Sequence, residues 1–138
     1  MSNSWSLREP ARRGTGCTTA MLEQDDQEHP VPADLRGVFE RIVEAFVMGD
    51  RVLDRVGEAA IIDTETAEFI QASIDAYGDA LAPLDPAVWE RSCYAWAGDH
   101  WQVLVDLTTR HEAVSDLTLH ADVRLNALRV TVQSVHVP

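Results

Sequence analysis

Three observations in the 138-residue sequence predict an α+β fold. Apolar residues recur at helical spacing between positions 35 and 81, and they alternate at strand spacing after position 92. The links between those strands are too short for a parallel crossover. The expected architecture is two main helices plus a short third helix packed on one face of a four-stranded antiparallel meander. Its clearest strand is Trp101–Leu107, where Trp101, Val103, Val105 and Leu107 share a face. Ser115–Leu125 answers it with Leu117, Leu119, Ala121, Val123 and Leu125.

Residues 1–32 are rich in Ser, Thr, Gly, Pro and charge and carry no apolar period, which predicts a disordered tail ahead of a single domain at 33–138. Arg8, Arg12 and Arg13 make its start mildly basic, and no apolar h-region marks a secretory signal. Met21 offers an alternative start of translation. A chain beginning there would carry about −14, from 8 arginines against 22 acids.

The first helix is predicted from Pro32 and Asp34 at its start, from the stripe Leu35, Val38, Phe39, Ile42 and Phe46, and from Gly49-Asp50 as its stop. Arg51–Val56 reads as another turn or two of helix. Asp63 or Thr64 caps a second helix whose buried side is marked by Ala67, Ile70, Ile74, Tyr77 and Leu81, with Gly78 as a left-handed cap. Asp85-Pro86 opens a short helix reaching Trp89 and Glu90. The sheet then runs Cys93–Ala97, Trp101–Thr108, Ser115–Leu125 and, after a turn at Asn126-Ala127, Leu128–Val137. In the last strand Val135 and Val137 fall on the polar phase of Val130 and Val132. A bulge near Ser134 accounts for the slip, as does an opposite face covered at that end, and the bulge is favoured.

The totals limit what the protein does. A net charge of −12 opposes binding to nucleic acid or to an anionic bilayer, and no apolar run reaches a membrane span. It suits a basic protein partner, or simply a well-solvated surface. All eleven basic residues are arginine. Cys17 and Cys93, without CxxC spacing, are expected to remain unbridged in a reducing cytoplasm, and no cofactor is expected.

From about residue 32 to 138 the chain resembles a family of small bacterial α+β domains of unknown function. The resemblance rests on Ala45-Phe-Val-Met-Gly-Asp50, Tyr77-Gly78, Trp89, His100–Leu107, Ser115–Leu119 and the Val-His-Val-Pro end at 135–138. It implies no activity. The sequence departs from the pattern at Thr108-Thr109 and Ala113-Val114, so no role is carried over for that loop. It is more distantly similar to cone-shaped folds of the nuclear-transport-factor type, which implies a pocket between helices and sheet.

His100, Asp106, His111, Glu112, Asp116, His120 and Asp122 form the densest polar set. Strand phase places Asp106, Asp116, His120 and Asp122 away from the apolar face, where a His with carboxylates can bind a divalent metal or act as a general base. Without HxH, HExxH or EF-hand spacing these residues read first as a solvated face, with Asp106 and Asp116 accepting from amides of the loop at 108–114. Phe39, Phe46, Tyr77, Trp89 and Trp101 are the candidate pocket lining, against a plain core role. Cys93 has no base beside it in sequence, there is no GxSxG, and the seven glycines form no phosphate-binding loop.

Two functions of different class fit these features. The first is a non-enzymatic interaction module, inhibitor-like or immunity-like, that meets a basic partner through its acidic surface. The alternative is a small-molecule-binding pocket protein or weak enzyme with a cavity between helices and sheet.

Overall fold

The computed structural model describes residues 22–125 and 128–138. Most of the expected tail, Cys17, the alternative start at Met21 and the turn at Asn126-Ala127 lie outside the described residues.

The fold is α+β, as expected, with helices α1 (Ala33–Val47) and α2 (Thr64–Tyr77). Its main sheet has five strands: β1 (His29–Pro30), β3 (Cys93–Trp96), β4 (Trp101–Asp106), β6 (Thr118–Arg124) and β7 (Arg129–His136). They lie in the order β1-β3-β4-β6-β7 with every pair antiparallel. Strands β2 (Leu81–Ala82) and β5 (Thr108–Thr109) form a separate two-stranded sheet.

Alternation in the sequence becomes a two-faced sheet. Val103 pairs with Ala121 and Val105 with Leu119. These four side chains are buried, together with Trp101, Val123, Val130, Val132 and Val135. Against them lie Leu35, Val38, Phe39, Ile42 and Val43 of α1 and Ala67, Ile70 and Ile74 of α2, in one apolar cluster. Burial of such a side chain stabilises by roughly 1.5–3 kcal/mol. The bulge is present: His120 pairs with Ser134 but Ala121 with Val132, leaving Gln133 as the extra residue and returning Val135 to the core.

Capping agrees with the sequence. Asp63 Oδ1 accepts from the Thr66 amide at 2.7 Å, and Asp85 Oδ1 from the Ala87 amide at 2.9 Å. Gly78 ends α2 at φ +86°.

Four expectations are corrected. The meander is not the whole sheet, because β1 adds a fifth strand. A two-residue strand is too short to show alternation, and Pro30, lacking an N–H, suits only an edge. The segment 22–31, expected within the tail, is therefore part of the domain. Val31 is buried, the Glu23 amide donates to Tyr94 Oη at 2.8 Å, and Trp101 Nε1 donates to the Glu23 carbonyl at 2.8 Å. The third helix is a 3-10 turn, Pro86–Glu90, the form short helical pieces commonly take. Finally, residues 51–56 form turns rather than more helix, with the buried Leu53 at φ +63°.

β7 is one edge of the main sheet and β1, rather than β3, is the other. β1 covers β3, and the loop at 58–60 covers the start of β7. There the Val130 amide donates to the Glu58 carbonyl and the Ala60 amide to the Val130 carbonyl, both at 2.8 Å.

Candidate functional site

The sequence-predicted polar residues do not converge. Asp106 is nearly buried and takes the Arg91 Nε at 2.9 Å, while its amide donates to Ser92 Oγ at 3.0 Å. Asp116 is not on the sheet; its amide donates to Tyr77 Oη at 3.1 Å. His120 stacks on His136 with ring centroids 4.4 Å apart, and Asp122 accepts from Gln133 Nε2 at 3.0 Å and lies 3.5 Å from His100 Nε2. Among the described residues no three His, Cys, Asp or Glu side chains are grouped to hold a metal ion. Neither Asp106 nor Asp116 caps the loop at 108–114. That work falls to Asp79, across from the loop.

The predicted pocket lining divides. Phe39, Trp89 and Trp101 are 0%, 6% and 7% exposed and fill the space between helices and sheet. Arg36 lies over the Trp89 ring, 5.5 Å from its centroid. Tyr77, the last residue of α2, donates its hydroxyl to Glu112. The Asp116 amide favours its ionisation, but the Glu112 carboxylate, burial and the charges of Glu112 and Asp116 together raise the Tyr77 pKa. Of the five, Phe46 borders an opening.

That opening is a cleft of about 640 Å³ beside the main core rather than within it. One wall is the end of α1 and the turn after it, with Phe46, Val47 and Arg51. The second is the face of α2 carrying Ala67, Ile70, Gln71, Ile74 and Asp75. The third is the segment Gly78–Leu81 with Arg110 and His111. Helical periodicity explains the second wall, since residues 67, 70, 71, 74 and 75 share a face. The third exists because β2 pairs with β5, setting Leu81 opposite Thr109 and bringing Arg110 beside Ala80, whose carbonyl accepts the Arg110 amide at 2.9 Å.

The electrostatics of this third wall centre on Asp79. Its carboxylate accepts from the His111 amide at 3.1 Å, from His111 Nδ1 at 3.0 Å and from its neighbour Ala80 N at 2.9 Å. Burial works against its charge. The nearby Thr109 hydroxyl and the hydrogen bonds from His111 and Ala80 outweigh it, lowering the pKa from 3.8 to about 2. Asp75 is engaged as well, accepting from Gln71 Nε2 at 2.9 Å. The turn that carries Arg51 is shaped by Asp50, which accepts from the Asp54 and Arg55 amides at 3.2 and 3.0 Å. The cleft thus combines an apolar floor with fixed acids and two exposed arginines.

A family described as a domain of unknown function, DUF7668, matches residues 43–138. The chain belongs to this family. The match begins inside α1, later than the resemblance from about residue 32, and takes in every cleft residue from Phe46 to His111. No curated protein and no solved structure matches the chain. Among the described residues no helix is long and apolar enough to cross a membrane.

Of the cleft residues, the sequence brought forward Phe46 and His111 as site candidates, and Ala67, Ile70, Ile74 and Leu81 only as core. It passed over Arg51, Asp79 and Arg110. Arg51 and Asp79 each stand one or two residues after a helix-ending glycine, Gly49 and Gly78. No local signal joins either to Arg110, because the β2–β5 pairing that brings Arg110 beside Ala80 is only two residues long.

Proposed function

We propose that this domain is a small-molecule-binding protein whose ligand occupies the cleft between the end of α1, α2 and the β2–β5 sheet. The observation that carries the reading is the cleft itself. Its volume of about 640 Å³ falls within the roughly 300–1,000 Å³ typical of ligand sites, and its lining mixes apolar side chains with a few polar groups. The polar set Asp106, Asp116, His120 and Asp122 is dispersed among separate partners. Binding rather than catalysis is proposed. The free thiol of Cys93 is in keeping with a reducing cytoplasmic setting.

The test is a fragment screen read by thermal shift on the natural chain and on Gln71→Trp, which places an indole at the cleft wall without touching the buried core. Fragments that stabilise the natural chain and lose their effect in Gln71→Trp support the proposal. Equal stabilisation of both proteins, or no hit at all, contradicts it.

A second reading keeps the interaction module. The net charge of −12 favours a basic protein partner by steering its approach. A complex recovered at low salt from the source cell and lost at high salt, with an unresponsive cleft, would favour this reading instead.

A further inference from the structure

The proposed cleft has a polarity opposite to that of the protein around it. Its two acids already have donors: Asp75 takes the Gln71 amide, and Asp79 takes His111 and Ala80. Its two arginines have nothing. Among the described residues Arg41, Arg91 and Arg124 form salt bridges, whereas Arg51 and Arg110 form none, nor does either guanidinium donate a hydrogen bond. Arg55 and Arg129 are likewise without a salt bridge but stand outside the cleft. A chain with 23 acids has leftover carboxylates to pair with, and two arginines on one cleft are nonetheless left with their donors free. The same lining includes Phe46, Val47, Ile70, Ile74 and Leu81, none of which accepts a hydrogen bond through its side chain. The unmet capacity of the site is therefore donor capacity of positive charge, next to apolar surface.

Resting on the cleft reading, we infer that the ligand is a small molecule with an apolar body and a carboxylate, the body lying on Phe46, Ile70, Ile74 and Leu81 and the carboxylate taken by the guanidinium of Arg51 or of Arg110 at the cleft's two outer walls. The planar guanidinium matches a carboxylate through paired N–H donors, a geometry neither lysine nor a neutral amide provides. Asp75 and Asp79 work against a second anionic group on the same ligand, which favours a monoanion. Association involves no bond making or breaking.

The experiment is calorimetric titration of the full chain with octanoate and with its neutral counterpart octanamide, repeated on the double variant R51Q/R110Q. Thermal unfolding confirms that the variant is folded, since both side chains are exposed. The natural chain is expected to prefer octanoate by about tenfold, the equivalent of one charge-assisted interaction of ~1.4 kcal/mol. The double variant is expected to bind the two probes alike. Equal binding of both probes by the natural chain, or a preference that survives in R51Q/R110Q, overturns the carboxylate assignment. If neither probe binds while neutral fragments from the screen do, the assignment falls and the cleft reading stands. If nothing binds the cleft, both fall.

Discussion

Asp79 and His111 are joined twice, main chain and side chain, across the third wall of the cleft: the Asp79 carboxylate accepts both the His111 amide and its Nδ1. The pair closes a loop that the Arg110 amide and Tyr77 hydroxyl also tether, so the cleft wall is held from residues 77–80 as well as by the β2–β5 pairing. Asp79→Asn is expected to speed hydrogen exchange at the amides of 110–112 while leaving β4 and β6 protected. The sign of the pH dependence comes from the lowered pKa. Stability from the Asp79 carboxylate is fully present above 3.8 and is lost as the pH falls from there through about 2. Exchange at 110–112 therefore rises selectively over that window in the natural chain, and not in the Asn variant.

Leu53 has a fully buried side chain on a left-handed backbone, φ +63°. The two properties oppose each other in mutation. Leu53→Ala is expected to cost about 2–5 kcal/mol through the cavity it leaves. Leu53→Gly loses the same contacts but recovers roughly 1–2 kcal/mol of backbone strain, which offsets the flexibility glycine adds. Urea unfolding should find Leu53→Gly at least as stable as Leu53→Ala, the reverse of the order at an ordinary position.

Glycines 78 and 57 offer a matched pair. An added Cβ meets open space at both, but only Gly78 has a positive φ, +86°. Gly78→Ala is expected to destabilise by about 1–2 kcal/mol from backbone strain alone. Gly57→Ala is expected to be neutral or to stabilise by up to about 1 kcal/mol, by restricting the unfolded chain. Thermal melts of the two variants decide it.

On the outer sheet face, burial first and the charge of the neighbouring His136 second lower the His120 pKa. The unfolded chain then binds the proton more readily than the folded one, so His120 supports full stability above its ordinary value of 6.5 and loses it as the pH falls through the lower folded value. Other charges on that face are Asp122 and Arg124 of β6 and Arg129 of β7, with Asp106 of β4 already bound to Arg91. His120→Gln is expected to flatten the acid limb of the stability profile just below pH 6.5. Urea midpoints measured for both chains between neutral and mildly acid pH test this.

Legibility in the sequence tracked the length of the pattern. Alternation in Trp101–Leu107 and the slip at Val135 carried enough residues to reveal both the sheet and its bulge. Caps at Asp63, Gly78 and Asp85 are single-residue devices with a local mechanism, and they too were readable. His29–Pro30, Leu81–Ala82 and Thr108–Thr109 were not, because two residues show no period and their pairing is a tertiary event. The cleft depends on that event. Its apolar floor therefore looks like core in the sequence, its predicted aromatics Phe39, Trp89 and Trp101 proved to be core, and Arg51, Asp79 and Arg110 look like surface charge.

The most direct test of the central claim is a methyl-resolved NMR titration of the chain with hits from the fragment screen. Binding in the cleft predicts saturable shifts at Val47, Ile70, Ile74 and Leu81, with Val105 and Leu119 in the sealed core unmoved. Shifts confined to the outer sheet face around Leu104, or none at saturating fragment, would contradict it.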